Sequence, residues 1–148
     1  MNLKEQLLQA KRMSEDIQLV FYKEYQELIN KYDMSSKQMN LIQFVIKNNF
    51  VTMNDIALFL DATPSAASQA VRKLENDRYL KREINLSNRR EIHVCLGDRG
   101  GELKEELEFA DLNIIEKYYM KLTPVEIETY CEIIEKMHSI VVGVREDE

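Results

Sequence analysis

The sequence predicts a mainly helical α+β fold built on a winged helix-turn-helix. About six helices and a two-stranded wing are expected, with terminal helices arranged to hold two copies together. Three observations carry this. Residues 52–75 read as two short helices separated by a tight turn. Residues 79–96 read as two strands joined by a polar loop that contains Asn88-Arg89-Arg90. Both ends of the chain carry long amphipathic seams, and no proline or glycine interrupts the first. The expected organisation is residues 1–33 and 98–148 as dimerisation helices and residues 34–97 as the winged helix-turn-helix region, in one compact domain.

The first helix is expected over residues 3–32. Leu3, Leu7, Ala10, Met13, Ile17, Val20 or Phe21, Tyr25, Leu28 and Tyr32 recur at spacings of three or four. At 1.5 Å per residue it would be about 45 Å long, too long to bury against one small domain, so a partner subunit is expected on its N-terminal half. Ser35-Ser36-Lys37-Gln38 fits a capping box opening a second helix, with Met39, Ile42, Phe44, Val45 and Ile46 as its apolar content and Asn48-Asn49 as its stop.

Thr52, with Asp55 three residues on, opens the third helix, whose core face is Ile56, Ala57, Phe59 and Leu60. Thr63 caps the fourth, with Pro64 at the first helical position, where a missing N–H costs nothing. Ala67, Val71 and Leu74 share one face of this helix. The opposite face carries Ser65, Ala66, Ser68, Gln69, Arg72 and Lys73, small and polar first and basic later. Small residues let a backbone approach a groove, Gln pairs with adenine, and Arg pairs with guanine or phosphate. The alternative for such a face is plain solvation.

Tyr79–Ile84 and Glu91–Leu96 read as strands, with Ile92, Val94 and Leu96 on one face and His93 and Cys95 on the other. Of the two loop arginines, one is expected to reach DNA, Arg90 by preference, and one to fold back as a structural salt bridge. Gly97-Asp98 opens a fifth helix to about Lys121, with a seam of Leu103, Leu107, Ala110, Ile114 and Tyr118. Thr123-Pro124-Val125-Glu126 is a further capping box, opening a sixth helix with Ile127, Tyr130, Ile134, Met137 and Val141. The last residues, Arg145 to Glu148, are expected to fray.

The net charge of −6 is unevenly spread. Residues 61–100 hold eight basic and six acidic side chains, whereas residues 101–148 hold five and thirteen. Salt screens charge within roughly 8–10 Å, so an acidic C-terminal third is compatible with a DNA-binding face that points elsewhere. No apolar run approaches the roughly 18 residues of a membrane span. The polar start Met1-Asn-Leu-Lys-Glu-Gln lacks the layout of a signal peptide, so a cytoplasmic location is expected. Cys95 and Cys131 make no disulfide framework or zinc spacing, and Cys131 is expected as a small buried hydrophobe. No nucleophile–base pair, metal motif or phosphate loop is visible, so no enzyme, cofactor or metal is expected.

At this point the chain resembles the MarR family of bacterial transcription regulators over essentially its whole length. The resemblance rests on Asp55-Ile56-Ala57-Leu58-Phe59-Leu60, Ser65-Ala-Ala-Ser68, Leu74-Glu75, Tyr79-Leu80-Lys81-Arg82, Asn88-Arg89-Arg90 and Leu96-Gly-Asp-Arg-Gly100. It implies a homodimer joined through terminal helices. It also implies pseudo-palindromic operators and, in many members, release by a small aromatic or phenolic ligand. The chain departs from the family pattern at Asn88, where aspartate is usual, at Arg78, where glycine is usual, and at Gly97, where threonine usually caps the fifth helix.

The resulting expectation is a homodimeric repressor whose paired helices, from Pro64 to about Asp77, enter successive major grooves about 34–36 Å apart. Ser65, Ala66, Ser68, Gln69 and Arg72 would lie in the major groove. Thr52, Asn54 and Lys73 would hold phosphate, and Asn88, Arg89 and Arg90 would enter the minor groove. Met13, Ile17, Phe21, Phe44 and Tyr118 would line the ligand pocket that the resemblance implies. The rival reading is a winged-helix protein-interaction module without DNA binding.

Overall fold

The computed structural model describes residues 1–146, with side chains described through Gly143. Among these, six α-helices and three strands follow one another: α1 (Leu3–Lys31), α2 (Ser36–Asn48), β1 (Phe50–Thr52), α3 (Met53–Leu60), α4 (Pro64–Asn76), β2 (Leu80–Ile84), β3 (Ile92–Leu96), α5 (Asp98–Lys117) and α6 (Pro124–Glu146). The chain divides into two compact units, residues 1–109 and residues 110–148. The expected fraying of Arg145–Glu148 falls largely outside the described residues.

The helix starts are written locally. Asn2 caps α1 and exchanges hydrogen bonds with Glu5; Ser35 does the same with Gln38 at α2, and Thr52 with Asp55 at α3. The Thr63 hydroxyl accepts the Ala66 N–H at 3.2 Å, with Pro64 in the first helical position of α4. Between α3 and α4 lie only Asp61, Ala62 and Thr63. Asp61 takes the left-handed conformation (φ 48°), and the Ala62 N–H returns to the Ala57 carbonyl at 3.0 Å.

The core of the first unit joins Met39, Leu41, Ile42 and Val45 of α2 to Ile56 of α3 and to Ala67, Val71 and Leu74 of α4. Tyr79, Leu80, Val94 and Leu103 complete it with Val51. Phe59 departs from the expected core face. It is exposed, and its ring stacks on Phe44 at 4.3 Å. From α1 only the last turns reach this core, through Ile29 and Tyr32; no residue of α1 is buried.

The two-stranded wing expected is present as β2 and β3, and a third strand, β1, joins its sheet. β1 pairs antiparallel with β3, and β3 with β2, in the order β1-β3-β2. Asn49, at φ 62°, turns the chain out of α2 so that Val51 lands opposite Val94. Three residues are too few to show alternation, and their partner lies over forty residues away. His93 and Cys95 do face the side opposite Val94, and the His93 ring stacks on Phe50 at 4.3 Å.

The fifth helix ends at Lys117, not near Lys121. A 3₁₀ turn at Tyr119–Lys121 follows, closed by the Leu122 N–H on the Tyr119 carbonyl at 3.0 Å. Thr123 precedes a proline, which disfavours helical geometry there, so the chain unwinds before α6 begins. The Thr123–Glu126 capping box is formed, with the Thr123 N–H 2.8 Å from Glu126 Oε2. Cys131 is exposed, contrary to the sequence expectation, on a stretch of α6 where Ile133, Ile134 and Met137 are exposed too.

α4 ends in a Schellman motif. The Tyr79 N–H bonds to the Leu74 carbonyl and the Arg78 N–H to the Glu75 carbonyl, both at 2.9 Å, with Arg78 at φ 61°. The next turn explains Gly97 and Gly100. The Gly97 and Arg99 N–H groups bond to the Tyr79 and Arg78 carbonyls at 2.9 and 3.0 Å. A Cβ at Gly97 would lie 2.5 Å from the Arg78 oxygen, and one at Gly100 2.1 Å from the Tyr79 oxygen. Gly97 is therefore a close-approach position and not only a change of helix cap.

Candidate nucleic-acid interface

One face of α4 is free of the core. With Ala67, Val71 and Leu74 fully buried, Ser65, Ala66, Gln69, Arg72 and Lys73 are left exposed, and Ser68 is half-buried. Asn76, four residues beyond Arg72, extends the same exposed face; its side chain carries no periodic signal, and the sequence reading passed over it. Arg72 has no ion pair among the described residues. Lys73 rims a pocket of about 500 Å³ bounded by α2, α3 and α4, together with Lys37, Phe59 and Ala70. It therefore flanks the Ser65–Gln69–Arg72 line.

The expected phosphate contacts sit at the start of α3. Thr52 accepts the Asp55 N–H on its hydroxyl at 3.1 Å, and that hydroxyl keeps its own proton free to donate. Asn54 is exposed one residue into the helix.

The wing projects through two linked turns, with the Asn88 N–H on the Asn85 carbonyl at 3.2 Å and the Glu91 N–H on the Asn88 carbonyl at 2.9 Å. Each turn is braced by an asparagine side chain. Asn85 Oδ1 accepts the Ser87 N–H at 3.0 Å, and Asn88 Oδ1 accepts the Arg90 N–H at 3.2 Å. Asn88 thus supplies the hydrogen-bond acceptor that an aspartate would, without its charge. Arg89 and Arg90 are both exposed, and neither is in an ion pair among the described residues. The fold-back expected of one of them does not occur.

That structural role falls to Arg82, which sequence reasoning missed. Arg82 Nε donates to Glu75 Oε1 at 2.7 Å, and Nη2 lies 3.4 Å from both the carbonyl and the hydroxyl oxygen of Ser68. It fastens β2 to α4. The only sequence signal was the proximity of Leu74-Glu75 to Lys81-Arg82. Nearby acids are also occupied. Glu83 pairs with Lys81 at 3.0 Å, and its carboxyl is held below the usual range by that lysine. Glu91 Oε1 lies 3.2 Å from His93 Nε2. Among the described residues Arg72, Lys73, Arg89 and Arg90 enter no ion pair, whereas Arg82 and Lys81 do.

The five residues considered for a ligand pocket are placed as follows. Met13 and Ile17 are exposed on α1, Phe21 and Phe44 are half-buried, and Phe44 spends its ring on Phe59. Tyr118 is half-buried and follows α5 in the second unit. Among the described residues no cluster of His, Cys, Asp or Glu is placed to hold a metal ion, and no helix is long and apolar enough to cross a membrane.

Comparison with solved structures places this arrangement. A MarR-like transcriptional regulator from Thermotoga maritima, TM0816, superposes with a TM-score of 0.72, covering 96% of this chain and 98% of that one at 20% identity. The fold is that of the MarR-like regulators. FabT of Streptococcus pneumoniae, solved in complex with DNA, shares this MarR-like fold at a TM-score of 0.65 and 20% identity, over 91% of this chain and 99% of its own. In sequence, the chain is similar to YwhA of Bacillus subtilis, an uncharacterized HTH-type transcriptional regulator. The two are 24% identical over 74% of this chain and 88% of that protein. No protein-family model matches the chain.

Proposed function

We propose that the protein is a homodimeric, sequence-specific DNA-binding transcription regulator. The observation that carries this reading is the pairing of two exposed features on neighbouring elements. One is the Ser65–Gln69–Arg72 face of α4; the other is the braced wing that presents Arg89 and Arg90, neither in an ion pair among the described residues. The first matches base edges in a major groove, and the second matches phosphate and the narrow minor groove beside it. Thr52, Asn54 and Lys73 would hold backbone phosphates.

Dimerisation is supported by apolar surface that a lone chain leaves in water. α1 exposes Leu3, Leu7, Met13 and Ile17, and α6 exposes Ile133, Ile134, Met137 and Ile140. A two-fold pair would place two α4 helices on one DNA face and read a pseudo-palindrome. Seated over a promoter, such a dimer acts as a repressor. Relief by a small phenolic effector follows the family resemblance and predicts stabilisation in a thermal-shift screen of phenols.

The direct test is a gel shift on DNA from upstream of its own gene, over a range of salt. Specific retardation with an affinity that falls steeply with salt is expected, because phosphate contacts release counterions. No retardation at any salt would overturn the reading.

A further inference from the structure

We propose that Leu86, at the tip of the wing, is an apolar wedge that enters the DNA minor groove and kinks the duplex at a deformable base step. The inference rests on the DNA-binding reading above and names the feature of DNA that the wing selects. Leu86 is 90% exposed, more than any other large hydrophobic side chain among the described residues. It is not on a slack loop: the Asn85 side chain bonds to the Ser87 N–H and the Asn88 side chain to the Arg90 N–H, fixing the backbone on either side.

The apolar character extends below the tip. Ile84 and Ile92 face each other at the last rung of the hairpin and are 63% and 39% exposed. By strand alternation they share a sheet face with Arg82, whose guanidinium reaches Glu75 and Ser68 of α4. The apolar end of the wing therefore continues the face turned toward α4, the helix that carries Gln69 and Arg72.

Charge selects the occupant. Residues 84–90 contain no carboxylate and two arginines. The flanking acids are engaged, Glu83 by Lys81 and Glu91 by His93 and Asn85. An apolar point on the same short loop as two exposed guanidiniums suits a polyanion with an apolar interior. In the minor groove, phosphates lie at the rims, deoxyribose forms the walls and stacked bases line the floor. Architectural DNA-binding proteins insert such side chains between base steps and bend the duplex. Pyrimidine–purine steps unstack most easily, so Leu86 would favour TA or CA at the wing position without a hydrogen bond to any base.

The test uses the full chain and duplexes selected in vitro by the wild-type protein. Bending is read by circular-permutation gel shift, and unstacking by 2-aminopurine placed at the wing-facing step. The wild type should bend the duplex and brighten the probe. Leu86→Ser should lose both, bind about tenfold more weakly, and lose the step preference. Leu86→Met should restore them, and all three proteins should melt alike. Equal bending and affinity for Leu86→Ser would overturn the proposal. A wild type that binds selected duplexes without bending them would overturn the wedge and leave DNA binding standing, as would crosslinking of position 86 to an acidic protein on straight DNA. A wild type that selects no duplex would overturn both.

Discussion

Arg82 Nε lies 2.7 Å from Glu75 Oε1, and this ion pair joins β2 to α4, the helix proposed to enter the major groove. Both side chains are less than one-third exposed, so the pair is screened less than a surface bridge. It sets where the wing stands relative to Gln69 and Arg72, although Arg82 itself reads no base.

Arg82→Ala should therefore act at two levels. It should cost about 1–2 kcal/mol of stability in a urea melt, as expected for a charge-assisted hydrogen bond that is partly buried. It should also weaken operator binding at temperatures where the protein remains folded. Arg82→Lys should recover only part of either effect, because an ammonium cannot reach Glu75 and Ser68 together.

The Arg78 backbone gives a second prediction. A non-glycine residue at φ 61° bears a steric cost, so Arg78→Gly should stabilise the protein by about 0.5–1 kcal/mol, net of the greater freedom that glycine gives the unfolded chain. Gly97→Thr, which restores the residue usual at this position in the resembling family, should destabilise it by several kcal/mol. Its Cβ would meet the Arg78 carbonyl oxygen at 2.5 Å. Urea melts of the two variants should move in opposite directions.

Arg72→Ala and Arg90→Ala should each weaken binding to a selected operator by about tenfold or more while leaving the melting temperature unchanged. Arg72→Ala should also relax the sequence preference under the helix. Unchanged affinity in both variants would contradict the docking.

Glu106 couples α1 to α5. Its Oε1 accepts from Lys31 Nζ at 2.6 Å and its Oε2 from the Tyr32 hydroxyl. The Lys31 ammonium first, and then the Tyr32 hydroxyl, hold its carboxyl below its ordinary value of 4.5. The folded carboxyl is thus the stronger acid. Its contribution to stability is fully present above the unfolded-state pKa and is lost as the pH falls through the folded one. Stability measured from pH 6 downward should fall less for Glu106→Gln than for the wild type, with the difference appearing below about pH 4.5.

Much of this fold was legible because its signals are local. Ser35–Gln38, Thr52–Asp55 and Thr123–Glu126 are each only three positions apart, and each forms the reciprocal cap expected. The 0, 4, 7 spacing of Ala67, Val71 and Leu74 marked the buried face of α4, and by subtraction its exposed one. What stayed hidden depends on distant partners. β1 exists because Val51 meets Val94, and three residues cannot announce that. Arg82 looked like one more basic strand residue until Glu75 was placed beside it. Gly97 read as a weak cap because nothing in the sequence brings the Arg78 carbonyl against it. Leu86 drew no reading because exposure is a property of the folded hairpin.

The central claim is that two α4 helices are held one turn of DNA apart. Hydroxyl-radical footprinting of the protein on an in vitro selected duplex tests it most directly. The account predicts two protected half-sites related by a dyad, with centres about 10–10.5 base pairs, or a multiple of that, apart on one face of the duplex. A single protected half-site, or protection without a repeat, would contradict it.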